Sequence, residues 1–218
     1  TGAFAINLWV SDHDPGGEQL DRAGFDALVR HFAPYLRELG LDDPAPPERY
    51  HPSFAQQIEV VLELRPPVFS FVFGIPSAKV LAACRQRGIA TIGAATTIAE
   101  ARALDEAGVD AIVATGFEAG GHRPSFLAAA EASLMGTFAL TPLVADRVKV
   151  PVIAAGGIGD GRGIAAALAL GAAGVQIGTA FMLTPEARTA PMHRTALKKA
   201  NDNSTTPANR SAIWPSAR

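Results

Sequence analysis

Residues 150–161 have the sequence VPVIAAGGIGDG, in which a short apolar strand runs directly into a glycine-rich turn. One strand later, residues 174–181 have the sequence GVQIGTAF, in which the strand also ends at a glycine. Glycine lets the backbone approach an anion closely, and free N–H groups at a helix start, expected here at about 162–170, bind anions. The two turns therefore predict a cradle for one terminal phosphate. Its predicted members are Gly156, Gly157, Gly178 and Thr179.

These glycines also have a simpler explanation, since tight turns between strands and helices use glycine without any ligand. A single glycine-rich turn leaves both explanations open, whereas two such turns on successive strands favour phosphate. The pair does not identify the phosphate. Barrels that bind flavin mononucleotide (FMN), barrels similar to inosine-monophosphate dehydrogenase and barrels similar to thiazole synthase share much the same pair.

Short apolar runs rich in Val, Ile and Ala alternate with longer helical stretches along the chain. This alternation predicts βα units and a parallel sheet that is buried on both faces. The expected strands are 3–10, 68–74, 89–95, 110–115, 150–155 and 174–178. A doubly wound dinucleotide fold normally has its glycine-rich turn after the first strand. Here these turns follow the last two strands, where (β/α)8 barrels bind phosphate, so the sequence favours the barrel.

Six parallel strands cannot close an eight-stranded barrel. We therefore expect an α/β fold of the TIM (β/α)8 barrel type that lacks its first two βα units, with two further units earlier in the parent protein. The connection after the first strand, at about 11–67, is expected to be a helical insertion with helices near 18–39 and 53–64. The barrel domain is expected to span 1–192, followed by a polar tail at 193–218.

The composition is that of a globular protein, with 48% hydrophobic and 18% charged residues among 218. The formal net charge of −2 and the scattered charges argue against a nucleic-acid or membrane partner. The single cysteine, Cys84, excludes an internal disulfide and is typical of a reducing compartment. Since no apolar stretch is long enough to cross a bilayer, a soluble, cytoplasmic protein is expected. The first strand is expected either to have an unpaired parallel edge or to pair with a segment outside this sequence. An unpaired edge invites association, which is compatible with a homodimer.

A candidate catalytic residue follows the expected strand 110–115, where the sequence TGFEAGGHRPSF occupies 115–126. Catalytic residues of barrels collect at this end of the strands. His122 follows two glycines that bring the backbone close to a flat ligand, and an imidazole exchanges protons near neutral pH. A lone histidine is otherwise a surface or core residue. The neighbouring Arg123 is expected either to steer an anionic substrate or to be a solvated charge.

Four segments together resemble the nitronate monooxygenases. They are FAINL at 4–8, EAGGH at 118–122, AAGGI at 154–158 and QIGTAF at 176–181. The resemblance implies a barrel that binds FMN and no metal. It also implies oxidation of alkyl nitronates and nitroalkanes by O2 to carbonyl compounds and nitrite. The implied partners are the small-molecule substrate and O2.

The resemblance assigns roles to individual residues. It implies that His122 is the base that takes a proton from neutral nitroalkanes. It implies that the phosphate is held by Gly156, Gly157, Gly178 and Thr179. It implies that the flavin is contacted by Asn7, Gly120, Gly121 and Gln176. In one departure from the family pattern, Ala94 stands where some members have a flavin-facing lysine.

Two other functions remain open. One is an NAD(P)H-dependent flavin reductase that acts on quinones or enoyl thioesters, since the related flavin-dependent enoyl-ACP reductases share the Gly-Gly-His turn. The other is a non-catalytic barrel remnant that binds no flavin. A function like that of inosine-monophosphate dehydrogenase is disfavoured, because Cys84 lies in an expected helix and the nucleophilic cysteine of those enzymes belongs on a loop.

Overall fold

The computed structural model describes residues 4–10, 21–47 and 52–200. Six strands form one parallel sheet in the order β1-β2-β3-β4-β5-β6, so each strand lies beside its predecessor in the chain. The strands are β1 (Ala5–Trp9), β2 (Val68–Val72), β3 (Ala90–Ala95), β4 (Ala111–Thr115), β5 (Val152–Ala155) and β6 (Gly174–Gln176). All six expected strands are confirmed. Sequential order without a reversal is the arrangement of a barrel and not of a doubly wound sheet.

Seven α-helices lie in the described part of the chain. They are α1 (Arg22–Glu38), α2 (Phe54–Leu64), α3 (Ala78–Gln86), α4 (Ile98–Ala107), α5 (Thr137–Ala145), α6 (Gly161–Ala169) and α7 (Pro191–Lys199). The helices α1 and α2 confirm the helical insertion between the first two strands, although residues 11–20 and 48–51 of that segment lie outside the described residues. No helix of the described ranges is long and apolar enough to span a membrane.

The main core lies between the helices and one face of the sheet. Its largest fully buried apolar side chains are Phe69, Phe71, Leu104, Ile112 and Leu140. Burying each of them stabilises the fold by about 1.5–3 kcal/mol. This layer fixes the strands against α2, α3, α4 and α5, and therefore fixes the positions of the loops that follow the strands.

The opposite face of the sheet, here called the inner face, has smaller side chains. Its buried members are Ala94, Val113 and Ala155, and Val72, Ile92 and Ile153 pack against them. In a closed barrel this face is the filled interior. Among the described strands, however, β1 and β6 do not pair with each other. Alternate residues of β1 are accordingly exposed, including Asn7 and Trp9.

The C-terminal segment begins as a helix and not as an irregular tail. Every residue of α7 is exposed or half-exposed, and Arg194 ties the helix to the preceding turn. Its guanidinium donates to the carbonyl oxygens of Leu183, Thr184 and Ala187 at 2.7, 3.1 and 2.9 Å. The division expected at 192/193 falls inside α7 and stays a prediction, and residues 201–218 lie outside the described residues.

Cys84 is fully buried in α3, as its helical position predicts. Burial raises the pKa of its thiol, although nearby Arg87 lowers it in part. Since the thiolate is the reactive form, we expect the native protein to protect Cys84 from iodoacetamide and the denatured protein to lose that protection. Mass spectrometry of the Cys84 peptide measures this. Equal alkylation of native and denatured protein would contradict the burial.

Candidate functional site

Two turns lie side by side where β5 and β6 end. Ala155 pairs with Gln176 at the last position of these strands, and Gly157 and Gly178 follow within two residues. Gly157 has a φ of +68°, a backbone conformation that side chains with a Cβ rarely adopt. The structure therefore brings together the two turns from which the phosphate cradle was predicted.

Both turns offer free hydrogen-bond donors. No acceptor among the described residues takes a hydrogen bond from the backbone amides of Gly157, Gly159, Gly178 or Thr179. A Cβ added to Gly159 or Gly178 would meet no atom within 4 Å. Unpaired amide groups in exposed residues, with open space beside them, are suited to the oxygens of a phosphate.

The start of α6, which was expected to bind the anion as well, already has a carboxylate. Asp160 accepts hydrogen bonds from the amides of Arg162 and Gly163 at 2.9 and 3.2 Å. The pKa of Asp160 is lowered, first by the Arg162 side chain and then by the Gly163 amide. The predicted anion site would therefore be limited to the amides of the two turns, because Asp160 caps the helix.

Gly156 lies at a close contact between β5, the loop after β4 and the start of α5. A Cβ at Gly156 would lie 2.6 Å from Thr137 Oγ1 and 2.9 Å from the Ala119 amide nitrogen. The missing side chain lets the loop after β4 and the start of α5 approach β5. Glu118 completes this junction, because its carboxylate accepts hydrogen bonds from the Thr137 amide at 2.8 Å and the Thr137 hydroxyl at 2.9 Å. The absence of a side chain at Gly156 therefore allows these segments to pack closely beside the first glycine turn.

The loop after β4 reaches from the phosphate turn to the opposite side of the sheet. A Cβ at Gly120 would lie 3.3 Å from Thr179 Oγ1, so the loop passes beside the second turn. Gly121 then has a φ of +86°, and His122 follows. The three residues Gly120–His122 therefore connect the predicted phosphate site with the predicted base.

His122 lies against two aromatic rings from the first two strands. Its ring centroid is 5.0 Å from that of Trp9 and 6.1 Å from that of Phe73, both in edge-to-face geometry. Trp9 is the last residue of β1, and Phe73 follows β2 with a φ of +66°. Such a conformation in a bulky residue costs about 1–3 kcal/mol and persists where the surroundings impose it. The histidine is exposed and sits over the carboxyl ends of β1 and β2.

Asn7 and Gln176 lie on the exposed inner face but on opposite edge strands, β1 and β6. The Asn7 amide nitrogen donates to Ser70 Oγ at 2.9 Å, and the two residues are paired in the sheet. This bond fixes the amide plane of Asn7. The structure does not bring Asn7 and Gln176 into contact, so one flat ligand would have to extend across the sheet to meet both.

The loop that carries His122 is held by charged side chains that the sequence did not single out as anchors. Glu100 in α4 is fully buried. One of its oxygens accepts from the amides of Phe126 and Leu127 at 2.6 and 3.0 Å. The other accepts from the amide and hydroxyl of Thr96, both at 2.7 Å, and from the Thr97 amide at 3.2 Å. Thr97 and Glu100 form a capping box at the start of this helix, and the same Glu100 carboxylate also binds the loop.

Arg123 is not a solvated charge, because its guanidinium is hydrogen-bonded to neighbouring protein groups. Its guanidinium donates to the carbonyl oxygens of Thr115 at 2.7 Å and Thr96 at 3.5 Å, and to both the carbonyl and the hydroxyl of Ser133. Desolvation lowers the pKa of Arg123, and Glu100 and Glu118 partly offset this. The expectation of a solvated charge is therefore wrong, because Arg123 ties the loop to the ends of β3 and β4. Its role in steering an anionic substrate stays a prediction.

No group of three or more His, Cys, Asp or Glu side chains within the described ranges is arranged to hold a metal ion. The features that are present are a parallel sheet in sequential order, two glycine turns at its last strands and a histidine loop beside them. They place the chain in the class of (β/α)-barrel proteins, with the candidate phosphate turns in the position that this class uses.

A model of the nitronate monooxygenase family matches residues 2–211. The chain belongs to this family. Probable nitronate monooxygenases of Staphylococcus aureus (strain MSSA476) and Staphylococcus haemolyticus (strain JCSC1435) are 37% and 42% identical to it, over 206 and 186 residues. These matches cover 94% and 84% of this chain but 57% and 51% of the relatives. The chain thus spans about half the length of the curated relatives it matches.

Two solved structures are similar in fold and sequence. Nitroalkane oxidase from Streptomyces ansochromogenes has a TM-score of 0.77 and 34% identity, over 89% of this chain and 55% of that chain. FabK from Thermotoga maritima has a TM-score of 0.61 and 34% identity, over 81% of this chain and 53% of that chain.

Proposed function

We propose that the protein to which this chain belongs binds FMN and uses O2 to oxidise alkyl nitronates and nitroalkanes to carbonyl compounds and nitrite. The observation that carries the proposal is the path of the loop after β4. Gly120 lies beside Thr179 of the second turn, and His122, two residues later, lies over the ends of β1 and β2. The flavin phosphate would therefore face the glycine turns, and the reacting carbon of the substrate would face His122. Membership of the nitronate monooxygenase family supports the same activity.

The residues of the cradle fit the terminal phosphate of FMN. The free amides of Gly157, Gly178 and Thr179 would donate to its oxygens, and the open space at Gly178 would admit them. Asn7 and Gln176 on the inner face, with Gly120 and Gly121 above it, would contact the rest of the flavin. When bound, FMN supplies an acceptor for the electrons of the substrate and passes them to O2.

His122 would act as the base on neutral nitroalkanes. The C–H bond at the α-carbon breaks and the proton passes to the imidazole. The electron pair of that bond forms the C=N bond of the nitronate, while the π pair of the N=O bond moves onto the oxygen. Because His122 is exposed, the proton can then leave to solvent. A substrate that arrives as the nitronate has already lost this proton and does not need the base.

The phosphate assignment predicts a specific loss of FMN affinity in Gly178→Val. Gly178 has a φ of −105°, which valine tolerates, and a Cβ there meets no protein atom. The valine would occupy the space of phosphate oxygens. Losing two hydrogen bonds to a charged group, each about 1.5–3 kcal/mol, weakens the Kd for FMN by about 10²-fold or more. Gly157 is a poorer choice, because its φ of +68° and a contact of 3.2 Å with Glu118 Cβ would strain the turn itself.

Gly174→Val is the matched control, since Gly174 begins the same strand β6 and a Cβ there also meets nothing within 4 Å. FMN affinity is measured by quenching of flavin fluorescence, and folding by circular dichroism without FMN. An unchanged Kd in Gly178→Val, or an equal loss in Gly174→Val, contradicts the placement of the phosphate.

The likeness to FabK keeps a second candidate, an NAD(P)H-dependent flavin reductase acting on quinones or enoyl thioesters. Anaerobic mixing separates the two. We expect an alkyl nitronate to bleach the flavin absorbance and NADH or NADPH to leave it unchanged over the same period. Rapid bleaching by either nicotinamide, with none by the nitronate, would favour the reductase.

We further propose a cytoplasmic protein with no nucleic-acid partner, in keeping with the dispersed charge and the single cysteine. A homodimer stays a prediction, and sedimentation velocity of the full-length protein tests it.

A further inference from the structure

We propose that Trp9 is a positioning residue for His122, and that its indole, together with the Phe73 ring, sets the direction in which the imidazole faces. This inference rests on the proposed role of His122 as the base. It adds that two aromatic side chains, at the ends of β1 and β2, hold the imidazole in place.

The imidazole depends on these rings for its orientation, because no hydrogen bond from the described residues holds it. Neither nitrogen of His122 has a hydrogen-bond partner within the described ranges, where its ring packs against the rings of Trp9 and Phe73. The histidine also follows Gly120 and Gly121, which restrain the backbone little. A histidine that acts as a base usually has one nitrogen oriented by a carboxylate or carbonyl. In this protein, packing against the rings of Trp9 and Phe73 would replace that hydrogen bond.

Each of the three rings packs against the other two. Trp9 and Phe73 are 5.1 Å apart at 71°, Trp9 and His122 are 5.0 Å apart at 65°, and Phe73 and His122 are 6.1 Å apart at 85°. All three pairs are edge-to-face, the arrangement that aromatic rings prefer. Rotation of the imidazole about its side-chain bonds would break at least one of these contacts.

The backbone holds the two supporting rings firmly. Trp9 pairs with Val72 in the sheet, and the Val10 amide donates to the Val72 carbonyl at 3.0 Å, so the strands stay paired at the level of the rings. Phe73 has a φ of +66°, which a bulky residue adopts only where its surroundings require it. Trp9 remains 50% exposed, so the ring pair lies at the open site and not in the main core.

The first test measures position without activity. In full-length protein labelled with ¹³C-histidine, the ring protons of His122, assigned with His122→Asn, should show the ring-current shift of the indole. Trp9→Leu should move these signals toward the positions of an exposed histidine, and Trp9→Phe should preserve part of the shift. Phe138→Leu is the control, since Phe138 is an exposed aromatic residue on α5 and should leave the signals in place. His122 signals that do not respond to Trp9→Leu would overturn the proposal.

The second test measures how Trp9 affects turnover of the nitroalkane and of the nitronate. A misplaced catalytic group costs about 10²-fold, so Trp9→Leu should lower kcat on a neutral nitroalkane by about that factor, with KM and nitronate oxidation little changed. Trp9→Phe should recover most of the loss, and adding Trp9→Leu to His122→Asn should cost nothing more. Equal slowing of both substrates by Trp9→Leu overturns the positioning role. Equal slowing by His122→Asn instead refutes the base itself, and thereby the proposed function, whatever the ring-proton signals show.

Discussion

His122→Asn is expected to slow oxidation of a neutral nitroalkane by about 10²–10⁴-fold, the usual contribution of a positioned base. The same variant should oxidise the pre-ionised nitronate at close to the wild-type rate. The reason is chemical: the nitroalkane must lose its α-proton in the site, whereas the nitronate has lost it in solution. Asparagine keeps a polar side chain of similar size but cannot accept this proton, so the substitution isolates the proton transfer.

The measurement is a ratio of kcat/KM values for the nitroalkane and its nitronate, in wild type and variant, with FMN content determined for each. Leu127→Asn serves as a control, because Leu127 is an exposed residue of the same loop and contributes no titratable group. If His122→Asn slows both substrates to the same extent at unchanged FMN content, His122 binds or orients the substrate and the reductase alternative gains support.

Glu100→Gln is expected to destabilise the protein by about 2–4 kcal/mol, because each buried donor left unpaired costs about 1–3 kcal/mol. Five donors converge on the two carboxylate oxygens of Glu100. A glutamine offers one oxygen and one NH2 group, so at least the two amides of Phe126 and Leu127, or the three donors of Thr96 and Thr97, lose their acceptor. The loop that carries His122 should loosen with them.

Urea unfolding monitored by circular dichroism measures the change in free energy of unfolding. The matched control is Glu106→Gln, the same substitution at an exposed position of the same helix, α4. We expect the control to stay within about 0.5 kcal/mol of wild type. A Glu100→Gln variant as stable as Glu106→Gln would mean that the carboxylate does not anchor the loop.

The fold could be predicted from the sequence because its signals are local. Runs such as VIAA at 152–155 and AIVAT at 111–115 are mainly apolar and contain the β-branched residues Val and Ile. The positions of the glycine turns distinguish a barrel from a doubly wound sheet. The two glycine turns could be located for the same reason, since each lies directly after its strand. Their binding of phosphate stays a prediction.

The supports of the site could not be predicted, because they join residues that are distant in the sequence. Glu100 is an ordinary third residue of a capping box in the sequence, and only the folded chain brings the amides of Phe126 and Leu127 to it. Arg123 and Trp9 have no sequence pattern that indicates their partners. Asp160 is different, because an aspartate directly before a helix is a common cap. The prediction that the start of α6 binds the anion overlooked this signal.

The absorbance spectrum of the full-length protein as purified, followed by mass spectrometry of any released chromophore, tests the central claim most directly. That claim is that the turns after β5 and β6, with the loop after β4, form an FMN site. We predict the visible bands of an oxidised flavin, a released mass equal to that of FMN, and bleaching of the bands by an alkyl nitronate without O2. A colourless protein that takes up no FMN on dialysis, or one that releases FAD, would contradict it.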